Sequence, residues 1–173
     1  MDFFQAVERR YSHKEEFSPC PVPIEDLEKI AKAGLAAATG INSQCVRLII
    51  LPDRKAVEPL SNVAQNKNFH TAPAAIVVLT ENSMQGNKIN FEIEDYSAAT
   101  QTMLLAATAL EYSALWLDSP FFGRETHWAA LKGLNVPAGY QLRAVIPIGK
   151  PAGKTARRPK KPFSERVSYG MFE

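Results

Sequence analysis

Six residues near the start of the chain, Arg9-Arg10-Tyr11-Ser12-His13-Lys14, hold four cationic or titratable side chains. Such a cluster can meet an anionic ligand, or it can be a solvated helix end whose negative dipole terminus favours positive charge. A second basic stretch closes the chain. Between residues 150 and 173, Lys150, Lys154, Arg157, Arg158, Lys160, Lys161 and Arg166 are set against only Glu165 and Glu173. That surplus of five leaves the body at −3 within a total of +2. A basic tail can meet nucleic acid, an anionic ligand or only water, and the near-neutral body argues against nucleic acid. A third polar group is the run Thr39-Gly40-Ile41-Asn42-Ser43-Gln44. Its amides can each donate and accept hydrogen bonds, although the same residues also suit an ordinary turn.

The chemistry that is missing narrows the field. No Gly-x-Gly-x-x-Gly follows a strand, and there is no P-loop, His-Glu-x-x-His, Cys-x-x-Cys or Gly-x-Ser-x-Gly. His13, His70 and His127 are scattered, without a ligand or triad partner at a readable spacing, and read as surface or packing residues. Cys20 and Cys45 make neither a disulfide framework nor a metal clip, so no metal is expected. Glu92, Glu94 and Asp95 read as loop solvation, and no catalytic acid or base stands out. An enzyme built on this chain borrows its reactivity from a cofactor.

The elements that must position these groups follow from local pattern. With 173 residues, 46% hydrophobic and 22% charged, the chain has the makings of one domain with a sizeable core. No uninterrupted apolar stretch is long enough for a membrane span. The N-terminus lacks a signal-peptide pattern, and the composition points to a cytoplasmic protein. Asp2 caps a short helix through Arg10. Ile24, Leu27, Ile30, Ala31, Gly34 and Leu35 predict a second helix at steps of three and four. Arg47 to Leu51 and Ala74 to Thr80 read as strands, the latter buried on both faces. Val57 to Ala64 fits a helix, with Pro59 arguing for a late start or a kink. The stretch 84–94 reads as a loop, and 97–112 as a long helix that is apolar nearly all round and therefore buried centrally or against another subunit. Glu125 to Lys132 is a helix with Gly133 as its left-handed cap, and Leu142 to Ile148 is the last strand. Helices alternating with apolar strands predict a three-layer or α+β domain around one sheet.

In chain order these patches resemble the FMN-dependent nitroreductase family, in its compact members. The opening Arg9 to Lys14, Val22-Pro23-Ile24-Glu25-Asp26-Leu27 and Thr39 to Gln44 are followed by Ala72-Pro73-Ala74-Ala75-Ile76-Val77-Val78. Ala106 to Leu110 then leads to Trp116, and Leu134-Asn135-Val136-Pro137 precedes Ala144 to Pro151. The lysine-rich tail with Glu165-Arg166-Val167 completes a match over nearly the whole chain. The resemblance implies an α+β subunit with a central mixed sheet flanked by helices, in an intertwined homodimer. It implies that residues 1–173 form a single FMN-binding domain, with 150–173 as its basic C-terminal extension. It further implies hydride transfer from NAD(P)H through flavin N5 to a nitro compound, quinone or similar small-molecule acceptor, in two half-reactions. Reductive dehalogenation on the same scaffold, and a flavin-binding storage or regulatory protein, are the alternatives.

By the same resemblance, Arg10 matches the phosphate-binding arginine and Ser12 the polar residue beside it, with Arg9 adjoining. Lys14 falls near flavin N1 and the C2 carbonyl. Asn42 and Gln44 match the polar turn, whose neighbours Thr39 and Gly40 come from the partner subunit. Lys160, with Arg158 and Lys161 as near alternatives, matches the tail arginine that returns to the phosphate. Three departures stand out. Cys45-Val46 replaces Pro-Trp, Leu110-Glu111-Tyr112-Ser113 replaces a Gly-Leu-Gly, and the tail arginine is a lysine, a point charge rather than a fork.

Overall fold

Ala74–Glu81 is strand β2, and its burial on both faces makes it the centre of the molecule: only Glu81 at its end is exposed. The computed structural model describes residues 1–81, 90–155 and 157–172. β2 lies between β1 (Val46–Leu51) and β4 (Tyr140–Gly149), and the two-residue β3 (Ser113–Ala114) closes on the far side of β4. All these pairings are antiparallel. The mixed character expected of the sheet is confined to its β3 edge, where Ser12 makes a parallel bridge to Ala114.

Alternation along the strands loads both faces. Ala75, Val77, Leu79 and Val145 pack with α3 (Arg54–Ala64), α4 (Lys67–Thr71) and α6 (Arg124–Gly133). Ala74, Ile76, Val78, Ile146 and Ile148 pack with α2 (Ile24–Leu35) and α5 (Glu92–Ala109). Each large aliphatic side chain fully buried this way contributes about 1.5–3 kcal/mol. α2 and α5 approach closely at Gly34, where a Cβ would lie 2.5 Å from Met103 Cγ.

Four local readings are corrected. α5 begins at Glu92, not Ser97, because Asn90 Oδ1 accepts the Glu92 amide at 2.8 Å and three carboxylates suit the positive helix start. The expected loop therefore ends before Glu92, and its residues 84–89 lie outside the described ones. At the other end α5 stops at Ala109, and Glu111 takes the left-handed position (φ 62°) while the Tyr112 amide bonds to Ala107 O at 2.8 Å. In α6 the left-handed cap is Asn135 (φ 53°) rather than Gly133, with the Val136 amide bonded to Leu131 O at 2.9 Å. α3 starts at Arg54 under an Asp53 cap and runs through Pro59, so no late start occurs.

Candidate functional site

The cationic run is positioned by α1 (Phe3–Arg9), which opens on a capping box between Asp2 and Gln5. Arg10 turns extended, and the chain then runs beside β3, the His13 amide bonding to Ala114 O at 3.0 Å. Extended backbone sends alternate side chains to opposite sides. Tyr11 and His13 turn inward: Tyr11 Oη lies 2.8 Å from Ser113 Oγ, and fully buried His13 packs on Phe17 at 4.3 Å between ring centres. His13 is the packing residue expected of it. Ser12 and Lys14 remain exposed, Arg9 is exposed and Arg10 half-buried. Among the described residues, none of Arg9, Arg10 and Lys14 enters an ion pair.

The start of the tail folds back onto this run. Thr155 Oγ1 lies 3.4 Å from both Tyr11 Oη and His13 Nδ1, and the Arg157 guanidinium sits 5.3 Å from the centre of the Tyr11 ring. Arg157 was not among the tail cations singled out by sequence. Arg158, Lys160 and Lys161 are exposed, and no hydrogen bond or ion pair among the described residues ties them to Arg10.

The polar turn follows α2. Ile41, Asn42 and Gln44 all have left-handed backbone (φ 51°, 56° and 49°). That conformation costs roughly 1–2 kcal/mol for an ordinary L-residue, and most for a β-branched one such as Ile41. The turn is held from both ends. Asp95 of α5, 2% exposed, accepts the Gly40 amide at 2.7 Å, the Ser43 hydroxyl, and the Cys45 thiol at 3.4 Å. Arg47 donates to Gln44 O at 2.8 Å and pairs with Glu81 at 3.1 Å. Gly40 sits so close to Phe91 that a Cβ would lie 2.2 Å from its ring. Burial pushes the Cys45 thiol up, away from the reactive thiolate. Thr39, Asn42 and Gln44 line a cleft of about 620 Å³ with Asp95, Arg47 and Ala99. The Asn42 and Gln44 amides are exposed.

A second buried carboxylate lies one turn earlier. The β2–β4 register skips at Arg143, a bulge that turns Arg143 and Ala144 toward the same face. Arg143 thereby pairs with Glu92 and donates to Thr80 Oγ1 at 2.8 Å, with its guanidinium 5.7 Å from the Tyr96 ring centre. The reading of Glu92, Glu94 and Asp95 as loop solvation is overturned for two of the three. Only Glu94 faces water, since Glu92 and Asp95 fall on the stripe that continues through Ala99 and Met103. That spacing of three and four was the available signal.

Beyond α5, Tyr112 Oη donates to Asp26 Oδ2 at 2.9 Å, tying the end of α5 to α2. Burial and this carboxylate push Tyr112 up to about 12, while hydrogen bonds from Lys29 and Tyr112 draw Asp26 down. Among the described residues, no cluster of three or more His, Cys, Asp or Glu is placed to hold a metal, and no helix is long and apolar enough to cross a membrane.

The candidate residues thus form two groups. The cationic run lies outside β3 and the polar turn at the start of β1, the opposite edge, some four strand spacings or about 19 Å across the sheet. No hydrogen bond or ion pair among the described residues joins them. The donors fit a flavin nucleotide by type: unpaired cations for a phosphate, and exposed amides for an edge of alternating donors and acceptors.

Comparison with known proteins bears on the same regions. The family model "Nitroreductase family" matches residues 7–67 and 56–150. A protein of Archaeoglobus fulgidus described as "Putative NADH dehydrogenase/NAD(P)H nitroreductase" is 31% identical over 137 residues, 78% of each chain. The solved structure of a protein so described from Parabacteroides distasonis superposes with a TM-score of 0.84 over 98% of both chains, at 24% identity. An "FMN-dependent Nitroreductase" from Clostridium difficile gives 0.83 over 98% of this chain and 99% of its own, at 21% identity.

Proposed function

The chain belongs to the nitroreductase family, and from that premise we propose that it is a homodimeric oxidoreductase that binds FMN and takes electrons from NAD(P)H. The observation that carries this reading is the unanswered charge of the N-terminal run, where Arg10 and Lys14 have no ion pair among the described residues. A phosphate is the ligand such donors suit. The descriptions of the similar proteins from Archaeoglobus and Clostridium support the same nucleotides.

Arg10 and Ser12 hold the phosphate, with Arg9 beside them. Lys14 brings a fixed positive charge to the flavin's pyrimidine edge, where negative charge grows on reduction, and so favours the reduced form. Thr39, Gly40, Asn42 and Gln44 come from the partner subunit, which accounts for their position at the far edge of their own sheet. Lys160 returns from the tail to the phosphate, with Arg158 and Lys161 as its neighbours. FMN held by these residues would supply the redox chemistry, hydride exchange between NAD(P)H and a nitro compound, quinone or similar acceptor. This chain's side chains bind and orient, and none serves as catalytic acid or base.

The apolar surface left open supports the dimer. On α1, Phe3 is 64% and Phe4 80% exposed, and the tail leaves Tyr169 and Phe172 uncovered. Exposed apolar groups of this size mark surfaces that another chain covers. Residues 1–173 act as one unit, with 150–173 as the extension that wraps the partner.

The test is the visible spectrum of protein loaded with FMN and freed of excess, followed without oxygen as NADPH or NADH is added. Retained flavin that bleaches with either nucleotide is the expected result, together with a dimer by light scattering. Colour that persists without bleaching would favour the storage or regulatory alternative. A colourless protein would overturn the cofactor assignment.

A further inference from the structure

The turn that carries Asn42 and Gln44 is held by more than its local bonds, which run from the Asn42 amide to Thr39 O at 3.2 Å and from the Ser43 amide to Gly40 O at 3.0 Å. Three of its residues, Ile41 among them, have left-handed backbone, and Ile41 is itself 74% exposed, so packing of its side chain does not impose that conformation. A further restraint comes from a carboxylate more than fifty residues away in sequence. Asp95, almost wholly buried, accepts from the Gly40 amide at one oxygen and from the Ser43 hydroxyl at the other, so it spans the turn. Phe91, one helical turn before Asp95, fills the space beside Gly40 and fixes how close the turn comes to α5.

We propose that Asp95 is a positioning residue for flavin binding: its two oxygens hold the Thr39–Gln44 turn in the strained form that presents the Asn42 and Gln44 amides to the cofactor. The inference rests on the reading of that turn as part of the FMN site. Asp95 does not itself touch the cofactor in this role. It converts the spread of conformations open to a six-residue polar turn into one, so that binding does not have to order the turn. The effect depends on hydrogen-bond geometry rather than on charge. An asparagine can accept from Gly40 through its carbonyl and donate to Ser43 Oγ through its amide, so it preserves the span. Alanine and leucine cannot.

The experiment is an FMN titration by flavin fluorescence on the wild type, Asp95→Ala, Asp95→Leu, Asp95→Asn and Asn42→Ala, with hydrogen exchange of the Gly40 amide read in parallel. Asp95→Ala and Asp95→Leu are expected to bind FMN at least tenfold more weakly, with the Gly40 amide losing protection. Asp95→Asn should stay within about threefold of wild type, a rescue that a merely space-filling role would not give. If the alanine variant fails to fold, Ser43→Ala removes one of the two contacts and is expected to weaken binding severalfold. Wild-type affinity in both Asp95→Leu and Ser43→Ala, with Asn42→Ala weakened, overturns the positioning role while leaving the site intact. Equal loss in Asp95→Asn and Asp95→Ala also overturns it, because charge rather than geometry would then be the cause. An unweakened Asn42→Ala overturns the assignment of the turn to the cofactor site, and this inference with it.

Discussion

At the start of α5, two carboxylates are nearly withdrawn from water, and each is answered from within the chain. Glu92 meets Arg143 and Thr80, and Asp95 meets Gly40, Ser43 and Cys45. Along the N-terminal run, Arg10 and Lys14 stand at the opposite edge of the sheet with no ionic partner among the described residues. Burying a charge is costly unless it is paired or hydrogen-bonded, so the buried carboxylates are tied to the stability and shape of the fold. Half-buried Arg10 and exposed Lys14 cost the fold little and keep their capacity to bind. The contrast separates groups that shape a site from groups that meet its ligand.

The largest effect should come from breaking the internal pair. Arg143→Ala removes this cation from beside the buried Glu92 carboxylate, and loss of one partner of such a pair costs about 3–5 kcal/mol. With Arg143 27% exposed, the lower end is expected, seen as a reduced urea midpoint with an unchanged slope. The companion measurement is at the other edge. Arg10→Ala should leave the urea midpoint near wild type, because Arg10 has no ion pair among the described residues to lose. Its FMN affinity should fall about tenfold or more, the equivalent of a charge-assisted hydrogen bond worth about 1.5–3 kcal/mol. If Arg10→Ala instead retained wild-type affinity for FMN, the phosphate assignment would fail and the contrast would reduce to exposure alone.

This division also governs how much the sequence discloses. The capped α1, the periodic α2 and the apolar strands β1, β2 and β4 are legible because each depends on neighbours within a few residues. The cationic run is legible for the same reason. The carboxylates were misread because their environment is made by distant segments. Asp95 is buried by a turn fifty residues earlier, and Glu92 by an arginine fifty residues later that only a bulge directs onto the same face. The contact of Arg157 with the Tyr11 ring is illegible for a like reason, since nothing in the tail marks which of its cations meets that ring. Glu111 and Asn135 show a milder version. Each takes the left-handed place at a helix end without being glycine, because the backbone bonds of the cap tolerate a non-glycine residue there.

Tyr112 offers the smallest and most selective test, because its partner is internal and yet close to the surface. Its hydroxyl bonds to Asp26 and holds the end of α5 to α2, and burial with that carboxylate pushes the group up to about 12 in the fold. In the unfolded chain a tyrosine titrates near 10. Between these values the unfolded state has lost the proton while the folded state keeps it. The contribution is therefore fully present below about pH 10 and is lost as pH rises toward 12. Tyr112→Phe should cost about 1 kcal/mol near neutral pH, the usual worth of one such bond. The wild type should then lose its advantage over the variant across that alkaline interval, read as converging urea midpoints at pH 9 and pH 11. Parallel midpoints would mean that the Tyr112–Asp26 bond carries no stability. The internal half of the contrast would then rest on the fully buried carboxylates alone.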